Sequence, residues 1–269
     1  MSLAHTGTPV SGATLLVLRA IVKRYAVGTR GRARHCTVVR DVTLFVDRGE
    51  CLAIDGTGLG PLTLLRCVAG LVCPDRGGVE WRADDGTRAP APALALVPGD
   101  WRPTCGAFTV RDVLEGAVPV GRPQRDADRR IAAVLRGCAL QSLVERRAVG
   151  LDAVERWQLG VASALVGAAE WLCVELPPGW SRPSLEPSRE VDAVVRRTLL
   201  AARIGGRTVL VAGPDATALV AATRTLCWVR GGLRLARGQG RLDGEEPAAP
   251  RRVAESGAEP PLTLARGRP

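Results

Sequence analysis

The chain is poor in the residues that hold metals, stack on bases or cross membranes. Among its 269 residues are two histidines (His5 and His35), and no two of its eight cysteines are spaced C-x-x-C, so no zinc site is expected. Aromatic residues make up 3%, too few for base-stacking platforms. No run of 18 apolar residues exists, so no helix is expected to span a membrane. The N-terminus carries no charged segment followed by an apolar stretch, which argues against a secretory signal. Lysine is the scarcest cation: Lys23 is the only one, against a formal net charge of +10.

What is present in quantity is arginine and small residues. An arginine-rich surface favours nucleic acid or acidic headgroups. Here the arginines are spread over the chain and arrive with abundant Ala, Gly and Pro, which reads as a compositional bias. Several cysteines lie inside apolar runs, such as Cys173 in WLCV and Cys227 in TLCWV, and read as buried reduced thiols of a cytoplasmic protein. With 46% hydrophobic residues, a core is readily built.

Periodicity sets out the organisation. Residues 14–20 and 38–46 read as strands separated by an Arg/Gly-rich loop, and 51–54 as a third strand. A helix is expected over 62–71, then a hairpin over 78–96 that turns at 84–87 and ends in the strand Leu94–Val97. From Thr109, a helix cap, to Val166 the pattern is helical, with further helices over 126–138 and 151–166. Then come a short apolar strand at 170–174, a helix over 188–203 capped by Ser188, a buried strand at 207–212 and a closing hairpin around Gly231-Gly232. Residues 1–13 and 239–269 read as disordered tails. Strands alternating with helices indicate an α/β sheet with an antiparallel part at the front.

One segment carries most of the functional information. In AIDGTGLGPLTLLRCVAGL (53–71) an apolar strand enters a Gly-rich turn that opens onto a helix, the context a phosphate-binding loop requires. The working pattern is G-x-x-x-x-G-K-S/T. Here Asp55 stands at the first glycine, Pro61 at the lysine and Leu62 at the hydroxyl residue, while Gly58, Gly60 and Thr63 keep the outline. Such a loop holds phosphate through backbone N–H groups and a helix N-terminus, with lysine neutralising the β and γ phosphates. Pro61 supplies neither ammonium nor N–H, and fits a first helical position. Leu62 has no hydroxyl for Mg²⁺.

These pieces, in this order, resemble the nucleotide-binding subunit of an ATP-binding cassette (ABC) transporter over residues 14–238. LRAIVKRY is similar to the family's opening strand, VRDVTLFVDRGECLAI to the strand pair before the loop, and LTLLRCVAGLVCPDRGGVEW to the helix and turn after it. FTVRDVLEGA, LDAVERWQLGVASALV, WLCVELP, GRTVLVAGPD and WVRGGLRLARG follow where the family has its helical subdomain, signature helix, Walker B strand, switch strand and closing hairpin. The resemblance implies a P-loop NTPase (RecA-like) α/β core, an antiparallel β subdomain and an α-helical subdomain at about 109–166. It implies ATP and Mg²⁺ as cofactors, with Tyr25 against adenine and Thr57, Gly58, Leu59, Gly60 and Thr63 around the phosphates. It also implies a membrane-embedded partner subunit, head-to-tail pairing as a homo- or heterodimer, and a place at the inner face of the cell membrane.

Carried over position by position, the chemistry is missing. Glu175 stands at the Walker B aspartate, and Leu176 at the glutamate that activates water, so the general base is absent. Gly99 replaces the glutamine that links metal to transporter, and Pro214 the switch histidine. The signature reads LDAVE, with Asp152 at the serine and Ala153-Val154 at the glycines. The loop linking the two sites falls near Leu185-Glu186-Pro187. No residue is expected to be catalytic and none to bind metal. The resemblance therefore implies a pseudo-ATPase with impaired ATP binding. Two other readings stay open: a weak ATPase with Arg66 as substitute cation, and an Arg-rich nucleic-acid-binding module.

Overall fold

The computed structural model describes residues 15–28, 34–177, 189–204, 206–214, 216 and 222–235. Expectations for the tails, for the cap Ser188 and for Leu185–Pro187 lie outside them.

Two sheets form the frame. The front sheet is antiparallel, in the order β2 (Arg34–Asp47), β1 (Leu15–Val27), β4 (Arg76–Arg82). The main sheet runs β5 (Leu94–Val97), β6 (Trp171–Glu175), β7 (Thr208–Gly213), β3 (Cys51–Asp55), β8 (Arg224–Val229), β9 (Gly232–Leu235). Its first five strands are parallel and β9 closes the edge as an antiparallel hairpin with β8. Short, wholly apolar strands belong in a parallel sheet because both of its faces are covered. The chain shows this by alternation. Leu52 and Ile54 of β3, Cys173 of β6, and Leu210 and Ala212 of β7 join the core beneath the front sheet. Cys51, Ala53, Leu172, Val174, Val209 and Val211 join the core on the helical side. Burial holds the Cys173 thiol up at about 12, so it behaves as a small apolar group.

The front sheet and the helix α1 (Leu59–Val68) share the first core, and Trp81 meets Trp171 edge to face, with centroids 4.8 Å apart at 81°, joining the two sheets. The second core is built by α2 (Val110–Gly116), α3 (Gln124–Gly137), α4 (Ala153–Val166) and α5 (Arg189–Arg203). Thr109 caps α2 as expected: its side chain accepts from Asp112 N–H and the Asp112 carboxylate accepts from Thr109 N–H.

Two expectations are corrected. Leu94–Val97 does not close a hairpin with β4; it pairs in parallel with β6 in the other sheet. The chain does turn at Ala83–Thr87, tied by the Asp85 carboxylate to Thr87, but it makes only a single bridge back, Arg82 to Arg88, before leaving. The helix expected to begin at residue 62 begins at Leu59, so Pro61 is its third residue, not its first. The position is tolerated because the first four N–H groups of a helix have no intrahelical acceptor.

Candidate functional site

Parallel strands bring their C-terminal ends to one edge, and loops leaving that edge are where α/β sheets bind ligands. Register aligns Asp55 at the end of β3 with Gly213 of β7, and Glu175 at the end of β6 with Ala212. Gly56 N–H donates to Gly213 carbonyl (3.2 Å), and Leu176 N–H to Ala212 carbonyl (2.9 Å), which fixes the loop and the end of β6 to the same strand. The edge thus gathers Asp55, Gly58, Gly60, Pro61, Leu62, Thr63, Gly99, Glu175, Leu176 and Pro214.

The loop keeps its turn. Gly58 is the N-cap of α1 at φ 84°, in the left-handed region where glycine carries no Cβ penalty, and no side chain caps the helix there. Thr57, Gly58 and Leu59 are exposed, and Gly60, Pro61 and Thr63 are buried. Two of the glycines have a packing reason. A Cβ on Gly60 would lie 2.4 Å from ring atoms of Trp228, and one on Gly56 would lie 2.4 Å from the Trp228 Cβ. The indole of β8 therefore rests on the loop backbone. Sequence reasoning missed Trp228, because β8 is remote from the loop in the chain. Tyr25 reaches the same helix from β1: its Oη is 3.5 Å from Thr63 Oγ1.

The end of β6 is closed by an ion pair. Arg66 Nε donates to Glu175 Oε1 (2.8 Å) and Nη2 to Oε2 (3.1 Å), a two-pronged contact. The Glu175 side chain is 4% exposed and that of Arg66 40%. The hydrogen bond to Glu175 raises the Arg66 pKa further above its usual value, against the opposing effect of burial. Gly99 N–H approaches Glu175 Oε2 at 3.4 Å, and Trp157 Nε1 donates to the Glu175 carbonyl (2.8 Å). Arg66, read from the sequence as a substitute cation, has its guanidinium engaged with Glu175 in this structure. Lys23 is committed too, donating to Asp75 Oδ1 (3.0 Å) and the Cys73 carbonyl (2.9 Å).

Leu176, which follows Glu175, is buried and packed against Gly213. A Cβ on Gly99 would lie 2.3 Å from the Leu176 carbonyl oxygen, so this backbone leaves no room for a glutamine side chain. Pro214 is half-buried in the turn after β7. Asp152 is engaged locally. It is the N-cap of α4, accepting from Glu155 N–H (2.8 Å), while Glu155 Oε2 accepts from Asp152 N–H (2.8 Å).

Mg²⁺ does not fit these residues. Both Glu175 oxygens are taken by Arg66, Leu62 offers no hydroxyl, and no cluster of three His, Cys, Asp or Glu suited to a metal exists among the described residues. No described helix is long and apolar enough to cross a membrane.

No family model matches the chain. Among curated proteins it is 29% identical over 139 residues to a molybdate/tungstate import ATP-binding protein of Archaeoglobus fulgidus, covering 51% of this chain and spanning 57% of that relative's length. It is 34% identical over 171 residues to a phosphonates import ATP-binding protein of Natronomonas pharaonis, covering 58% of this chain and 70% of the relative. Among solved structures, a dimeric ATP-binding cassette in a post-hydrolysis state bound to ADP and Pi superposes with a TM-score of 0.63 at 17% identity, covering 83% of this chain and 99% of that one. The strand order, the loop between β3 and α1 and the 34% identity agree: this chain belongs to the family of ABC transporter ATP-binding subunits.

Proposed function

We propose that this chain is a non-hydrolysing ABC subunit, a pseudo-ATPase, whose domain spans about residues 14–238 with a helical subdomain at about 109–166. It docks on a separate membrane subunit or pairs with another ABC subunit, and so sits peripherally at the inner face of the membrane. The observation that carries the reading is the end of β6, where Glu175 is held by Arg66 and is followed by the buried, apolar Leu176. A carboxylate locked in an ion pair and a hydrocarbon at the base position leave no group to orient or deprotonate water.

The other losses point the same way. Each missing transition-state donor costs roughly 2.7–4 kcal/mol by analogy with an oxyanion-hole donor, and the groups act as a unit, so the figures do not add. Tyr25, Thr57, Gly58, Leu59, Gly60 and Thr63 are the candidates for whatever nucleotide contact survives. The weak-ATPase reading needs a spare cation, and both Arg66 and Lys23 are engaged.

The deciding measurement is phosphate release from Mg-ATP by the purified full chain, paired with calorimetric titration of ATP and ADP with and without Mg²⁺. The expected result is no turnover above background. Mg-ATP hydrolysis abolished by replacing Arg66 would overturn the proposal and establish the weak ATPase. DNA or RNA binding that falls steeply with salt would favour the nucleic-acid module instead.

A further inference from the structure

We propose that the Arg66 guanidinium is a resident cation at the Glu175 carboxylate, standing in for a divalent metal, so that the site takes no metal. The inference deepens the reading above, since it explains how a site of this shape stays intact without a cofactor.

The geometry comes from helix periodicity. Leu62 and Arg66 are four residues apart on α1 and share a face. The position whose hydroxyl would help hold a metal is apolar, and one turn further along the same face a guanidinium reaches across to the end of β6. It meets Glu175 with two donors, at 2.8 and 3.1 Å, and saturates the edge of the carboxylate that faces α1. Burying a charged group is costly unless it is paired and hydrogen-bonded. Here the charge is covalently part of the neighbouring helix, so it does not dissociate and is insensitive to chelators. Arginine suits the role: its planar fork matches the carboxylate and its charge does not titrate in the accessible range. Gly99 N–H is a weak third donor to Glu175, the apolar Leu176 follows it in the chain, and the Asp100 carboxylate also acts on the Arg66 charge.

The test uses Mn²⁺ alone as probe, on the full chain without nucleotide. Thermal unfolding is followed with and without millimolar Mn²⁺ for the wild type, Glu175→Gln, Arg66→Met and the double variant. A ligand that binds only the folded state raises its stability in proportion to ln(1 + [L]/Kd), so even weak binding registers. The expected pattern is an identical Mn²⁺ response in the wild type and Glu175→Gln, and a Mn²⁺-dependent rise in melting temperature in Arg66→Met that the double variant lacks. A rise in the wild type that Glu175→Gln abolishes overturns the proposal, as does an Arg66→Met protein that Mn²⁺ leaves unmoved. Should Arg66→Met fail to fold, the wild type and Glu175→Gln decide it through bound Mn²⁺ counted by electron paramagnetic resonance. Equal counts support the proposal, and a Glu175-dependent ion refutes it. No nucleotide enters these measurements, so their failure is distinct from the appearance of ATP turnover, which would instead refute the pseudo-ATPase.

Discussion

The N-termini of α1 and α4 are closed in different ways. At α4 the solution is local. Asp152 and Glu155, three residues apart, exchange side-chain and backbone hydrogen bonds and satisfy the first donors of the helix. At α1 no side chain caps the helix, and its N-cap is Gly58. There the closing groups come from elsewhere: Trp228 of β8 lies on Gly56 and Gly60, Pro61 removes a donor, and Arg66 ties α1 to Glu175 across 109 residues of sequence. A capping box is written in four consecutive residues and is ordinary helix chemistry. The α1 end is a tertiary assembly, and its parts make sense only together.

The difference is broken most severely at the ion pair. Arg66→Met would leave Glu175 buried without its cation. Breaking a buried pair from one side costs about 3–5 kcal/mol, and the partial exposure of Arg66 reduces this to about 2–4 kcal/mol here. Glu175→Gln should cost less, because Arg66 is half-exposed and regains water. Denaturant midpoints at unchanged m-value measure both. Equal and negligible losses would make the pair an ordinary surface contact.

The next effect tests the indole. Gly60→Ala places a methyl 2.4 Å from Trp228 ring atoms, and overpacking of that kind typically costs about 1–3 kcal/mol. Combining Gly60→Ala with Trp228→Ala should recover part of the loss, because the clash partner is gone. Additive losses would mean that glycine is required at position 60 for some other reason.

The contrast between the two ends also explains what could be read from the sequence. The short strands at 51–55, 171–175 and 208–213 were legible because each holds an apolar run, at 51–54, 171–174 and 209–212, bounded by polar or Gly residues. Thr109 was legible as a cap because its partner Asp112 is three residues away. β1 and β2 run well past their apolar segments, since pairings such as Lys23 with Val39 and Tyr25 with Cys36 extend the ladder where alternation gives no signal. β5 looked like the second arm of a hairpin because the turn at 84–87 is real, yet its partner β6 lies far along the chain. Within the site, the altered positions could be listed from the pattern alone. What replaces the missing chemistry could not: neither the Trp228 seat nor the Arg66–Glu175 fork leaves a local trace. Position 99 is the same case, because its need for glycine arises from the Leu176 carbonyl and not from its own neighbours.

A smaller effect sharpens the comparison from the α4 side. Asp152→Ala removes an N-cap and should cost about 1 kcal/mol, within a range of about 0.5–2, while Asp152→Asn should keep most of the stability. Thermal unfolding of the two variants checks this. Were alanine and asparagine equally harmless, the α4 end would not depend on its box, and the contrast with α1 would weaken.

The smallest expected effect is none at all. Pro61→Lys with Leu62→Thr restores two of the three altered loop positions, leaving Asp55 at the first glycine, and returns an ammonium, an N–H and a hydroxyl to α1. If those two positions alone had failed, this pair would restore Mg-ATP turnover. On the pseudo-ATPase reading proposed above it should not, because both Glu175 oxygens remain on Arg66 and Leu176 beside them is buried and apolar. The restored lysine would supply binding without a route to proton transfer, and uniform binding does not speed the chemical step. Phosphate release indistinguishable from background, beside a gain in ATP affinity by calorimetry, is the outcome that places the defect in the tertiary assembly around α1 and β6. Measurable turnover would return it to two residues of the loop, and the rest of the site would have to be read as competent.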